Sequence, residues 1–435
     1  MKSRLLNILF WSVISAAFIG PGTVTTAAKA GSDFGLPLLW ALTFATIACL
    51  VLQEAAARLT ISSGMDLGQA IRFQSGGEKS KPAIPLLVVI CILTGTAAYQ
   101  TGNLLGAVAG IKLLVDLPSW LMVFLLGLMA GILLLIPSVK VIARIMGGIV
   151  ALMGIAFIVS AIAIKPPVYD LFRGMMRPII PLNGGGGLLV LGLIGTTVVP
   201  YNLFLGSGLS KGQSLKEMRS GLFVAVILGG IISMAVLVTG SSMSAEFTFG
   251  GLAESLSRYL GGMGTVVLGV GLLAAGFTSA VTAPLASAVT VRSLFGNSDP
   301  ERWRDGSSRF RMIWVLVLLT GVGFGMAGFK PVPAIIVAQA LNGLILPLIA
   351  IFLLVSVNNR SIMKAGYNNL PGNILMTSVV FITLLIGLAG IARAVLKGIN
   401  AEPGNWSLIM LIIAIISFVI VGSVLLKISS GKKNI

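Results

Sequence analysis

Apolar runs of about twenty residues follow one another through the whole of this 435-residue chain, separated by short segments that carry the charges. Lipid offers a backbone no hydrogen-bond partner, so such runs must close their own bonds as helices, and about 20 residues span the hydrocarbon. Twelve candidate spans fit, at about 7–30, 36–57, 83–111, 119–137, 145–164, 186–210, 219–241, 263–291, 310–328, 333–357, 372–392 and 406–427. The strands of a membrane barrel would be about ten residues long with strict alternation, a different pattern. Only 10% of residues are charged, against roughly 25% in a soluble domain, which excludes a soluble enzyme, a disordered chain and a collagen. The chain therefore reads as an all-α polytopic membrane protein. Its 54 glycines point to closely packed helices.

Lys and Arg bias the loops. If the N-terminus is cytoplasmic, 21 of the 30 basic residues fall on that side and nine on the other. This predicts cytoplasmic N- and C-termini in a bacterial-type inner membrane. It also reads the net charge of +17 as an orientation signal and not as a nucleic-acid surface, because the charge forms no single stripe. No cleavable signal peptide is expected, since the first apolar run leads straight into Pro21-Gly22. The chain contains no histidine, which excludes His-ligated metals, haem ligation by His and His-based catalysis. Cys49 and Cys91 lie in apolar runs and suit packing.

Two spans carry a break signal at corresponding positions. The first reads Gly20-Pro21-Gly22-Thr23, and the sixth reads Thr196-Thr197-Val198-Val199-Pro200-Tyr201-Asn202. Proline supplies no N–H and clashes with the carbonyl four residues back, so Pro200 leaves the Thr196 carbonyl unpaired. Unpaired backbone at membrane depth is tolerated only where it lines a cavity. Each break opens a set of five spans, and five is odd. The second set therefore begins on the opposite side of the membrane, giving two inverted repeats, about 7–164 and 186–357, within one transporter domain over 1–435, with extra helices at 372–392 and 406–427. Secondary transporters bind substrate where such broken helices meet. Within the spans the one acid is Glu54, one turn from Arg58. The two read as an interfacial pair or as a gate or proton site.

The residues at these breaks resemble those of the Nramp family of divalent-metal transporters. The likeness covers about residues 8–365. It includes Gly20-Pro21-Gly22-Thr23 followed by Ala30-Gly31-Ser32-Asp33-Phe34-Gly35, Gln53 to Leu59 leading into Ser63-Gly64, and Val199-Pro200-Tyr201-Asn202-Leu203-Phe204-Leu205. Gly271 to Ser279 match the family's eighth helix, and Gln339 with Pro347 its tenth. The resemblance implies a LeuT-like fold with broken first and sixth helices. It also implies a metal site of Asp, Asn and Met side chains plus a carbonyl. Here those positions hold Gly20, Thr23, Val199 and the carbonyl of Thr196. The family's acidic pair in the third helix is replaced by Gln100 and Asn103, and its histidine in the sixth by Tyr201. Carboxylate and soft sulfur are gone, and no metal site is expected, since a transition-metal ion is selected by such ligands.

What replaces them is neutral and polar. The expected substrate site comprises Gly20, Thr23, Thr26, Gln100, Asn103, Thr196, Thr197, Val199, Tyr201, Asn202 and Gln339. Ala17, Gly20, Thr278 and Ser279 form a candidate sodium site by analogy with LeuT-like folds, although Thr278 and Ser279 also suit bonding back within their own helix. The expected function is an Nramp-related secondary transporter working by alternating access. Its metal site is lost, and its cargo is a small neutral polar solute or anion. The alternatives are a residual divalent cation such as magnesium, or a non-transporting receptor or scaffold. No cofactor is expected; the coupling ion is sodium or a proton. The expected partners are the substrate and the lipid bilayer, with no nucleic acid, and the chain is expected to be a monomer.

Overall fold

The computed structural model describes residues 19–77, 83–136, 140–181, 185–296, 299–363, 366–399 and 405–433. Among them every apolar run is helical. In chain order the helices are α1 Pro21–Phe34, α2 Leu39–Ser63, α3 Leu67–Gln74, α4 Ala83–Lys112, α5 Ser119–Leu135, α6 Lys140–Ile164, α7 Val168–Met176, α8 Gly186–Thr197, α9 Pro200–Leu209, α10 Leu215–Ser241, α11 Phe249–Leu260, α12 Met263–Phe295, α13 Ser308–Met326, α14 Pro331–Asn358, α15 Arg360–Met363, α16 Leu370–Gly398 and α17 Trp406–Lys433. Ten spans among the described residues are long and apolar enough to cross a membrane, with α8 and α9 together making one of them. These ten and the shorter α5 match eleven of the twelve expected spans; of the first, at 7–30, α1 is described and residues 7–18 lie outside the described residues.

The polarity is that of a protein dissolved in lipid. Large apolar side chains such as Leu128, Ile162, Phe223 and Phe418 face outward, while Gln100, Asn103, Thr196, Asn202 and Gln339 are buried. Lipid does not reward hiding Leu, so the interior is built from small residues and polar groups that let backbones approach. Helix α8 touches α14 in this way. A Cβ on Gly195 would collide with the Gln339 carbonyl, and one on Gly343 would lie 2.5 Å from the Leu191 carbonyl. Helices α4 and α12 run together along much of their length, as do α1 and α10. The core of the bundle is thus α1, α4, α8, α9, α12 and α14, with α17 largely exposed on the outside.

Proline alone does not break a span here. Pro284 lies inside α12 and Pro347 inside α14, and both helices continue past it. At the two breaks proline instead occupies the first helical position of a new segment, where its missing N–H costs nothing and its fixed φ favours a helix start.

Candidate functional site between the broken helices

Gly20 is extended, at φ −87° and ψ 174°, and α1 begins at Pro21. The half of the first span before residue 19, with Ala17, lies outside the described residues. In the second break α8 ends at Thr197, Val198 and Val199 leave helical geometry, and α9 begins at Pro200. Both breaks therefore present the start of a helix, a partly positive end, to the middle of the bundle.

The two segments meet through side chains. The Thr23 and Thr196 hydroxyls are hydrogen-bonded at 2.8 Å across 173 positions of sequence. The Gln339 amide lies against Gly22, where any Cβ would collide with it, and Thr26 and Gln339 both pack on Gly192 of α8. On the other side of α1, Pro21 fits against Gly106 of α4. A Cβ on Gly20 would come within 3.3 Å of the Tyr99 hydroxyl and 3.6 Å of the Ser279 hydroxyl. Tyr99 and Tyr201 meet edge to face with ring centroids 5.7 Å apart. Of Thr23, Thr26, Asn103, Thr196, Tyr201, Asn202 and Gln339, none is more than 2% exposed.

This centre holds unspent hydrogen-bonding capacity. Among the described residues, the Thr26 hydroxyl, both polar atoms of the Asn103 side chain, Nδ2 of Asn202 and Oε1 of Gln339 are buried without a partner. A buried polar group left unsatisfied costs roughly 1–3 kcal/mol, so such a cluster calls for water or a ligand. No carboxylate lies among these residues. No group of three or more His, Cys, Asp or Glu that could hold a metal ion exists among the described residues.

Some expected site residues face elsewhere. Gln100 packs on Gly321 of α13 and donates from Nε2 to the Ala280 carbonyl at 3.0 Å, leaving its Oε1 unpartnered. Thr197 bonds back to the Leu193 carbonyl at 2.9 Å, and Val199 is wholly buried as packing. Of the candidate sodium ligands, Thr278 bonds back to the Ala274 and Ala275 carbonyls, while Ser279 is the hydroxyl beside Gly20. Sequence reasoning missed Tyr99, whose hydroxyl lies beside Gly20, and Asn342, whose Nδ2 is buried without a partner. Each had a usable signal: Tyr99 stands four residues before Asn103 in α4, and Asn342 three after Gln339 in α14, so each shares a helix face with a residue already singled out.

Charge gathers at the end of the bundle where α2 closes. Glu54 accepts from Arg58 at 3.1 Å and from Arg219 of α10 at 2.7 Å. Arg58 also donates to the Gly366 carbonyl at 2.6 Å and to Asn368 at 2.5 Å. The Glu54–Arg58 pair expected from spacing is thus the middle of a tie joining α2, α10 and the segment before α16. Nearby, Asp66 caps α3 in a capping box with Gln69 and accepts a short bond from Ser293 of α12. Burial raises the Asp66 carboxyl above its ordinary value, opposed by Ser293, by the Gln69 and Gly68 amides and by Arg292.

A helical bundle in lipid, with a discontinuous span and a polar, uncharged centre, is a membrane transporter by architecture. The family model for Natural resistance-associated macrophage protein-like sequences matches residues 12–393, and the chain belongs to that family, Nramp. The Divalent metal cation transporter MntH of Erwinia tasmaniensis is 25% identical over 411 residues, covering 91% of this chain and 95% of that protein. A crystal structure of the Eremococcus coleocola manganese transporter, in complex with an aromatic bis-isothiourea substituted compound, matches with TM-score 0.75 at 17% identity, over 100% of this chain and 96% of that one. Mhp1, a nucleobase-cation-symport-1 family transporter in a closed conformation with bromovinylhydantoin bound, matches with TM-score 0.59 at 12% identity, over 98% and 92%. At these identities the two structures establish the fold alone, which is LeuT-like as expected.

Proposed function

We propose that this Nramp-family transporter carries a small neutral polar solute or small anion by alternating access, without the family's transition-metal site. The observation that carries the reading is the Thr23–Thr196 hydroxyl bond, which joins the two broken segments where the resembled family places metal ligands. Hydroxyls and carbonyls bring no net charge against a dication, and stripping such an ion of water at this depth without a carboxylate is strongly unfavourable. The unpartnered groups of Thr26, Asn103, Asn202 and Gln339 include both donors and acceptors, as a polar solute requires. The helix starts at Pro21 and Pro200 favour a negative or electron-rich group. Sodium is the coupling ion this arrangement favours, through Gly20 and Ser279; Glu54, held between two arginines, acts as a tie. In this reading the chain works as a monomer with both termini in the cytoplasm, in an inner-type membrane.

A second reading is favoured by the relatives, whose names are those of divalent metal and manganese transporters. A hydrated ion such as magnesium, which keeps several of its waters, would donate from those waters to the oxygens of Thr26, Asn103 and Gln339. Uptake of manganese, cadmium and magnesium into proteoliposomes separates the readings. No saturable uptake of any of the three is expected, and clear uptake of one overturns the main proposal. Thermal-shift screening against sugars, amino acids and small anions is expected to yield a stabilising ligand, weakened by Thr23→Ala or Tyr201→Phe. Binding without transport of any hit would instead identify a receptor or scaffold.

A further inference from the structure

Outside the centre, three helices form a long groove on the lipid-facing surface. Its walls come from Leu93 to Thr101 of α4, Leu316 to Phe324 of α13 and Pro333 to Leu341 of α14, and it encloses about 860 Å³. That lies in the upper part of the range of ordinary ligand pockets, roughly 300–1,000 Å³. Leu316, Phe324 and Val337 on its walls are exposed. The hydroxyls of Thr101 and Thr320 are bonded back to the Ala97 and Leu316 carbonyls, at 3.2 and 2.7 Å. The walls therefore present mostly hydrocarbon, and a concave hydrocarbon wall loses dispersion contacts unless something of its own kind fills it.

One end of the groove is chemically distinct. Lys330 lines it there, at the position just before α14 starts, next to Phe329, whose ring lies 6.2 Å from that of Phe324. A lysine at the end of a span lays its stem along apolar surface and holds its ammonium at the membrane–water interface. Among the described residues no acid lines the groove, and Lys330 makes no ion pair. An uncompensated ammonium at the interfacial end of a hydrocarbon-walled groove complements a phosphate ester carrying an acyl chain.

We propose that the groove between α4, α13 and α14 binds a phospholipid with a net negative headgroup, its phosphate on the Lys330 ammonium and an acyl chain lying along the groove. The site has a route to the transport centre. Ala338 in its wall adjoins Gln339, and Ala98 and Thr101 adjoin Tyr99 and Gln100, so an occupant braces the two helices that carry those groups.

Native mass spectrometry of the full chain tests this, with phosphatidylglycerol and phosphatidylcholine of the same acyl chains added in parallel. Phosphatidylglycerol is expected to be retained about fivefold more strongly, the ratio one interfacial cation supplies. Lys330→Ala is expected to bring it down to the phosphatidylcholine level, and Lys112→Ala, an exposed cation at another span end, to leave it unchanged. Filling the groove by Ala97→Phe, or by Val337→Trp at an exposed position if the first variant does not fold, is expected to reduce retention of both lipids. Equal retention of the two lipids by the unaltered chain overturns the proposal. So does a phosphatidylglycerol preference that survives Lys330→Ala. A lipid-free dimer that the filling variants dissociate also overturns it, because a second copy would then be the occupant.

Discussion

The centre of the bundle and the end near Glu54 solve the same problem in opposite ways. At the centre α1 is joined to α8 by two neutral hydroxyls, with uncharged amides around them. At the Glu54 end α2 is joined to α10 and to the segment before α16 by a carboxylate, two arginines and an asparagine. Both ties cross between helices far apart in sequence. The charged one sits where water is near enough to lower the desolvation penalty, and Arg219 is 55% exposed. The neutral one sits where no water need be displaced from an ion. Among the described residues the ionic joint thus lies at the Glu54 end and the neutral one between the broken segments.

This contrast can be broken experimentally. The largest effect is expected from Arg58→Ala, which leaves Glu54 with one partner and frees the Gly366 carbonyl and Asn368. A loss of about 3 kcal/mol is expected, read as a fall in the thermal unfolding midpoint in detergent. Should the exposed Arg219→Ala cost as much, the tie does not depend chiefly on the buried arginine.

Next comes the neutral joint. Thr23→Val leaves the Thr196 hydroxyl without its bond at the centre, for a cost of about 1–2 kcal/mol, and Thr196→Val removes the same bond from the other side. The double variant is expected to recover much of that stability while losing any solute binding. A double variant that is merely additive in stability would show that the hydroxyl bond contributes little.

A smaller effect follows pH. Burial raises the Asp66 carboxyl above 3.8 in the folded state, so the folded protein holds this proton more tightly than the unfolded chain. That contribution is complete below the unfolded value and is lost as pH rises through the raised folded value. Relative to Asp66→Asn, the unaltered chain is therefore expected to lose stability over that window. Parallel melting curves at several pH values check this; identical slopes for the two proteins would contradict it. The smallest effect is expected at the exposed Arg258–Glu254 pair. There Glu254→Ala is expected to change stability by less than about 0.5 kcal/mol in a denaturation series.

Much of the fold was legible because its causes are local. Helical spans follow from apolar runs that must satisfy their own backbone in lipid. The starts at Pro21 and Pro200 follow from proline's missing donor and from the glycine or valine before it. The Glu54–Arg58 pair follows from one turn of helix. The site was legible only in outline. Thr23 and Thr26 were readable as polar residues within a span, but not that Thr23 meets Thr196 while Thr26 shares Gly192 with Gln339. Gln100 and Asn103 look equivalent in sequence. Yet Gln100 turns to the Ala280 carbonyl and Gly321, while Asn103 keeps both its polar atoms unpartnered.

The sequence by itself determined that this chain lives in a membrane, where its helices break, and that the breaks carry no charged or sulfur ligand. Those properties belong to single residues and their near neighbours. The tertiary structure alone decided which neutral groups face one another, that Arg219 completes the Glu54 tie, and that α4, α13 and α14 leave a groove ending on Lys330. Which partners a side chain finds depends on how helices cross, and in lipid that crossing is set by packing of small residues over the whole bundle, a sum that no short stretch of sequence contains.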